Sequence, residues 1–153
     1  MRVYVPFTVD RLASVQESSS VGPAPFAAAA VTAARRGEQR GADDEQLEYD
    51  AMTDAARRSL ELLAQDPASA YRRLVIAADV EDRHVGPHER PGWVTVTDPV
   101  PLQWIAAFMV DGADATAPVS TAALTRAYKA LDDVPLQWFA VGELSTLVDE
   151  AGA

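Results

Sequence analysis

The sequence predicts an α+β fold, a layered α/β sandwich with a mixed sheet of about five or six strands and three or four helices. Short apolar runs rich in β-branched residues or alanine recur along the chain and are too short for typical helices. Amphipathic helical segments alternate with these runs, and no Pro- or Gly-rich linker divides them. We therefore expect residues 1–153 to form a single globular domain, a length sufficient for a hydrophobic core.

The first two predicted elements are a strand and a short helix. RVYVPF, Arg2–Phe7, is β-branched and aromatic, which is typical of a strand. Thr8 is placed to cap a helix whose apolar side carries Leu12 and Val15, and SSSVGPAP should end that helix.

The next segments predict a buried strand followed by a long helix. Phe26–Val31 is an apolar, alanine-rich run, and Thr32 after it can cap a helix. A helix is expected over Asp43–Gln65, capped by Asp43 or Asp44 and stopped by Asp66-Pro67. Its apolar residues recur every three or four positions and form one stripe: Tyr49, Met52, Ala56, Leu60 and Leu63.

The second half of the chain predicts three strands and one more helix. The continuous apolar run Leu74–Ala78 is typical of a central strand buried on both faces. WVTVTD, which begins at Trp93, alternates as a strand with one buried face does, and AAFMVD is a further apolar strand. The apolar spacing over Pro118–Leu131 predicts a helix. Its inward-facing residues would be Ala122 or Ala123, Ala127, Ala130 and Leu131.

Composition restricts the classes of function. The chain has no cysteine, which excludes disulfides, thiolate metal sites and cysteine nucleophiles. Its net charge of −10 argues against nucleic-acid binding, which needs a basic face, and is compatible with a basic protein partner. The N-terminus lacks a signal-peptide pattern, and no apolar run reaches the roughly 20 residues that span a bilayer. We expect a cytoplasmic protein without membrane contact.

A doubled segment is the most distinctive local feature. DPVPLQW at Asp98–Trp104 recurs as DDVPLQW at Asp132–Trp138, without similarity on either side. We interpret it as one local structural device used twice, a strand or a single turn at the edge of a layer, with Trp104 and Trp138 as core anchors. The alternative is that Trp104 and Trp138 form an exposed aromatic patch that contacts a partner or a second copy. The neighbouring Leu136 and Phe139 favour the core for Trp138.

Three aspartates suggest a candidate ligand site. Asp79, Asp98 and Asp111 each follow a predicted strand, and carboxylates gathered at strand ends can hold Mg²⁺. The alternative is that the three carboxylates cap separate turns.

Other candidate groups do not predict a cofactor or a catalytic site. His84 and His88 lie in HVGPHERPG, where Gly86 and Pro87 oppose the helix that would align them on a metal. Tyr49 lies between acids in EQLEYDAM, but its place in the apolar stripe favours a packing role. The sequence also lacks a P-loop, a G-x-G-x-x-G and a G-x-S-x-G motif.

Three segments together, RVYVPFT, LEYDAMTDAARRSL and RRLVIAADV, resemble a small actinobacterial family known only as a domain of unknown function. The resemblance covers most of the chain. It implies a cytosolic single domain, and it transfers no functional residues.

These observations favour a non-enzymatic cytosolic protein-interaction or regulatory module, present as a monomer or homodimer. The alternative is a small enzyme or ligand-binding protein that uses the carboxylates at the strand ends. Exposed tryptophan at an edge would support the first function, and converging carboxylates the second.

The helical stripe yields a stability prediction. Leu60→Ala should lower the free energy of unfolding by about 2–5 kcal/mol, because it removes buried methyl groups and leaves a cavity. Arg58→Ala, on the polar face, should change it by about 0.5–1 kcal/mol or less. Urea titration of both variants measures the difference, and equal midpoints would show that the helix face is wrongly assigned.

Overall fold

The structure is a computed structural model that describes residues 1–66 and 70–151. Nine strands are found in the described residues: β1 Arg2–Thr8, β2 Ser20–Val21, β3 Phe26–Ala30, β4 Arg73–Asp79, β5 Val85–Gly86, β6 Trp93–Val96, β7 Val100–Pro101, β8 Ile105–Val110 and β9 Gln137–Phe139. Five α-helices accompany them: α1 Leu12–Ser18, α2 Ala33–Glu38, α3 Asp44–Gln65, α4 Thr116–Thr125 and α5 Leu144–Ala151. No helix in these ranges is long and apolar enough to cross a bilayer.

Seven strands form one sheet in the order β5-β6-β3-β1-β4-β8-β9, and β2 pairs with β7 separately. Every pairing between described strands is antiparallel. The prediction of a mixed α/β protein is confirmed, whereas the mixed sheet and the smaller numbers of strands and helices were wrong. The chain passes from β3 through α3 to β4, and these two strands lie on either side of β1 instead of pairing in parallel.

Both faces of the central strands are buried. On one face Tyr4, Val75 and Ala77 contact Ala51 and neighbouring small residues of α3. On the other face, alternate residues of β1 and β4 share a core with side chains of α1 and α5. The prediction of a doubly buried strand at Leu74–Ala78 is therefore confirmed.

Helix α3 has the predicted bounds but a rotated buried face. The Asp43 carboxylate accepts the Gln46 N–H at 2.8 Å, and the helix ends at Gln65. Pro67, the expected stop, lies outside the described residues. The most buried positions are Leu47, Ala51, Ala55, Ala56, Ser59, Leu60 and Leu63. Tyr49 is 51% exposed, so its place in the buried stripe was wrong. Small alanines bring this face close to the sheet.

Two other helix ends differ from the predictions. The Thr8 side chain makes no capping bond, and a 3-10 turn at Val9–Arg11 precedes α1. Helix α4 ends at Thr125 because Arg126 adopts a left-handed φ of 58°. Residues 127–131 are therefore not helical, and Ala127 and Ala130 are exposed. Ala122, Ala123 and Leu131 are buried as expected.

A buried ion pair joins β4, β8 and the segment before β9. The Arg73 guanidinium donates to both Asp111 oxygens at 2.8 and 2.9 Å, and the Arg73 backbone N–H donates to the same carboxylate at 2.8 Å. The guanidinium also donates to the carbonyls of Leu131 at 3.2 Å and Val134 at 3.1 Å. Because all these donors find acceptors, the buried charges are satisfied.

Two further buried polar side chains fix the helices to the sheet. The Ser59 hydroxyl of α3 donates to the Phe7 carbonyl at 2.8 Å and accepts the Leu74 N–H at 3.0 Å. The Arg35 guanidinium of α2 donates to the Ala30 carbonyl at 3.0 Å and to the Gly92 carbonyl at 3.1 Å. A Cβ on Gly92 would lie 2.5 Å from that guanidinium, and the φ of Gly92 is +81°, so this position requires glycine.

The buried ion pair yields a matched stability prediction. Asp111→Ala should lower the free energy of unfolding by about 3–5 kcal/mol, because it leaves the Arg73 charge buried without its partner. Asp79→Ala also removes an aspartate from an arginine pair, but the Asp79 side chain is 62% exposed, so the loss should stay below about 1 kcal/mol. Urea denaturation compares the two variants. Losses of similar size would refute a special role for the buried pair.

Candidate functional site

The three candidate aspartates lie apart. Asp79 ends β4 and Asp111 follows β8, and the antiparallel register of these strands puts the two carboxylates at opposite ends of the sheet. Asp98 lies beyond β6 and bonds to His84. No three acids or histidines of residues 1–66 and 70–151 are grouped so that they could hold a metal ion. The strand ends therefore do not build the expected ligand cluster from Asp79, Asp98 and Asp111.

Each of these carboxylates has a local partner. Arg2 donates to Asp79 at 2.7 and 3.0 Å, and this hydrogen bonding lowers the pKa of Asp79. The Thr97 hydroxyl and the His84 ring lower the pKa of Asp98 in the same way, with distances of 3.0 and 2.6 Å. Asp111 is the acid of the buried ion pair. Asp79 and Asp98 thus form local hydrogen bonds at the surface, whereas Asp111 stabilises the fold through its buried bonds to Arg73.

The two histidines contact tryptophans. The His84 ring lies 5.9 Å from the Trp104 ring, centroid to centroid, and the His88 ring lies 6.5 Å from that of Trp93. His88 Nδ1 also accepts the Arg90 N–H at 3.0 Å. Trp104 is half-buried and contacts the hydrophobic core, so its aromatic surface is mostly used within the protein.

The two copies of the doubled segment have different structures. In the first copy Val100 and Pro101 form β7, and Leu102–Trp104 make a 3-10 turn before β8. In the second copy the chain turns at Asp132–Val134, and Gln137–Phe139 form β9. The interpretation as one device used twice was therefore wrong. The same residues adopt different conformations because the first copy pairs with β2 and the second copy pairs with β8.

Trp138 is exposed rather than buried. It lies at the centre of β9, opposite Met109 of β8, with 64% of its surface accessible. The prediction of a core anchor was wrong, because β9 is the last strand of the sheet and its neighbours Leu136 and Phe139 supply the partly buried apolar contacts instead. A large aromatic side chain is thus exposed on an open strand.

A cavity of about 260 Å³ lies next to this strand, between α3, β8 and the segment 132–136. Apolar side chains form much of its wall, including Met52, Met109 and Leu136. Tyr49 stands at its mouth and is half-exposed, and its hydroxyl lies 3.5 Å from the Asp132 carbonyl. We name the surface formed by Tyr49, Met52, Met109, Leu136 and Trp138 the β9 edge site.

An ion pair links two elements that wall the β9 edge site. Arg57 of α3 donates two hydrogen bonds to the Asp132 carboxylate, one of them at 3.0 Å, and this bonding raises the pKa of Arg57. On the same helix Glu48 accepts the Tyr4 hydroxyl at 2.6 Å. Burial and this carboxylate raise the pKa of Tyr4, so the hydroxyl remains a donor at neutral pH. The Arg57 bonds thus join α3 to the 132–136 segment, and the Tyr4 bond joins α3 to β1.

Two exposed acidic side chains lie beside the apolar surface. Asp133 lines the cavity and is exposed, and Glu45 lies one turn before Tyr49 on α3. Neither carboxylate has an ion pair within the described ranges. The β9 edge site is therefore an apolar surface with a negative rim.

Sequence reasoning named Trp138 but missed the rest of this site. The apolar stripe assigned Tyr49 and Met52 to the core. The doubled segment was expected to form a strand or a single turn at the edge of a layer, but the bounds of β9 were not predicted. An alternation of apolar and polar residues at Leu136, Gln137 and Trp138 was the available signal, and three residues are too few to identify a strand by periodicity.

Comparison with known proteins finds one family. The model of a family described only as a family of unknown function, DUF6912, matches residues 1–148. No curated protein matches the chain, and no solved structure does.

The exposure of Trp138 yields a prediction that separates it from a core aromatic. Trp138→Ala should change the free energy of unfolding by about 1 kcal/mol or less, since most of the ring is already in water. Phe108→Ala, at a fully buried position of β8, should cost about 3–5 kcal/mol. Urea titration tests both variants. A loss for Trp138→Ala as large as that for Phe108→Ala would place Trp138 in the core.

Proposed function

Since the chain belongs to DUF6912, a family of unknown function, the family supplies no activity, and we propose a function from the site itself. The protein is a non-enzymatic interaction module that binds an extended, basic segment of another protein along β9. The observation that carries this proposal is the exposed Trp138 on an edge strand beside an apolar cavity.

The free edge of β9 supports binding by strand addition. In the sheet order β9 has one neighbour, β8, and its residues Gln137 and Trp138 are exposed. The backbone groups on the outer side of an edge strand are available to an added strand, which can bind through main-chain hydrogen bonds. An extended peptide therefore fits this edge better than a helix would.

The apolar surface would determine which side chains of a bound peptide are accepted. A peptide strand beside β9 would have alternate side chains facing the Trp138 side of the sheet, where Met109 and the 260 Å³ cavity also lie. That cavity has room for about one large apolar side chain. Buried aromatic and aliphatic anchors of this kind provide much of the binding energy of interfaces.

The acidic side chains at this site favour a partner segment with positive charge. Glu45 and Asp133 lie at the rim of the β9 edge site, and the whole chain carries a net charge of −10. A segment with lysine or arginine next to its apolar anchor would be attracted and oriented by this rim. A second copy of the same acidic chain would be repelled, which favours a different protein as the partner.

The proposal also includes the layered sandwich fold and the cytoplasmic location that the sequence led us to expect. Helix α3 on one face and α1 with α5 on the other support the layers, and β9 at one edge of the sheet is left without a second neighbouring strand. The alternative function, based on carboxylates at the strand ends, loses its support because Asp79, Asp98 and Asp111 do not meet.

Peptide binding tests the proposal. An acetylated Val-Lys-Val-Lys-Val-Lys-Val peptide should bind and change the tryptophan fluorescence of the protein, and the same peptide with glutamate for lysine should not. Trp138→Ala should weaken binding, measured by calorimetry, about tenfold or more. Leu124→Ala is the matched control, because Leu124 is 70% exposed on α4 and is not part of the β9 edge site.

Two outcomes would contradict the proposal. Equal binding by the Trp138→Ala and Leu124→Ala variants would show that attraction is only a general effect of net charge. Unchanged affinity for a peptide with a central proline would exclude strand addition, since proline interrupts the main-chain ladder.

A further inference from the structure

A second cavity, of about 480 Å³, contains an unusual share of the positive charge of the chain. It lies between the polar face of α3, the 87–92 loop and the turn that follows α4. Five of the 13 lysine and arginine residues line it, and the chain as a whole is strongly acidic. The cationic residues are Arg57, Arg58, Arg90, Arg126 and Lys129, and the acids in the same wall are Asp54 and Glu61.

Three of these cations are held by the protein. Arg57 bonds to Asp132, and Arg58 donates to Glu61 at 2.8 Å. The Arg90 guanidinium lies over the Trp93 ring at 5.3 Å. Such contacts keep a planar guanidinium in one orientation while leaving other donors of its fork free.

The other two cations, like Arg90, have no carboxylate partner among the described residues, and they also lack a ring contact there. Within residues 1–66 and 70–151, Arg126 and Lys129 form no ion pair. The charge of Asp54, one of the two wall acids, is already matched by the buried Arg35 at 2.9 Å. The cavity therefore has an excess of positive charge, and Arg126 and Lys129 are its available cations.

The backbone places these two cations on one turn. Helix α4 ends where Arg126 takes its left-handed conformation, and the Ala130 N–H donates to the Ala127 carbonyl at 3.0 Å to close the next turn. Tyr128, between the two cations, contacts the core that contains Leu60 and Leu63, and its half-buried ring lines the cavity. One short segment thus presents two cations and an aromatic surface.

We propose that this cavity is a binding site for a small phosphorylated molecule with a planar ring. Several cationic side chains directed at one space suit a phosphate or polyphosphate, whose oxygens accept bidentate bonds from guanidinium groups. The Tyr128 ring provides a surface on which a planar group can stack, and 480 Å³ is within the range of small-molecule pockets. The site is independent of strand addition at β9.

Calorimetry with ATP and with inorganic tripolyphosphate, both without divalent cations, tests this proposal. Both should bind, and higher salt should weaken the binding of both. The double variant Arg126→Gln/Lys129→Gln should lower both affinities at least tenfold. Arg40→Gln is the control, because Arg40 is also exposed and without an ion pair among the described residues but lies outside the cavity.

Tyr128→Ala separates the two parts of the ligand. It should reduce the affinity for ATP severalfold and leave that for tripolyphosphate unchanged, since only ATP carries a ring to stack. Absence of binding by either compound would overturn the proposal. It would also be overturned if Arg40→Gln weakened binding as much as the double variant, which would indicate attraction to any exposed cation. Thermal unfolding of every variant confirms that the fold is retained.

Discussion

The arrangement of the C-terminal half of the sheet depends on the buried pair of Arg73 and Asp111. Charged groups in a protein interior are destabilising unless every donor and acceptor is matched, and here one guanidinium and one carboxylate satisfy each other and two loop carbonyls. Because Arg73 begins β4 and Asp111 follows β8, the pair fixes where these strands start and end against each other. The bonds to Leu131 and Val134 then fix the path of the chain into β9.

The bonds of Arg73 also affect the surface beside β9. Residues 131–134 are held from inside by Arg73, and Asp132 is held from outside by Arg57 of α3. The segment is thus fixed from both sides just before it enters β9. That rigidity keeps the cavity beside the strand open, while Trp138 itself remains in solvent. If the β9 edge site binds a peptide as proposed, this surface needs little rearrangement on binding.

The elements that could be predicted from the sequence are those with a long and regular pattern of buried apolar residues. The bounds of α3 and the apolar run of β4 follow from helical spacing and from the length of a doubly buried strand. Strand directions did not follow, because a strand with both faces covered has the same composition in a parallel and an antiparallel sheet. The short strand β9 had too few residues for periodicity to reveal. The edge position of this segment was expected, but whether the Trp138 side chain faces the core or the solvent depends on the neighbouring elements, which local sequence does not encode.

The central place of β1 has a consequence for the order in which the protein folds. The first strand of the chain pairs with β3, about twenty residues later, and with β4, about seventy residues later. During synthesis β1 and β3 can pair early, but the second edge of β1 stays open until all of α3 and β4 have left the ribosome. Contacts between such distant residues slow folding and leave apolar strands exposed in the meantime. Early pairing of the alanine-rich β3 with β1 would therefore cover one edge of β1, while the other edge of β1 stays open until β4 is made and the outer edge of β3 stays open until β6 is made.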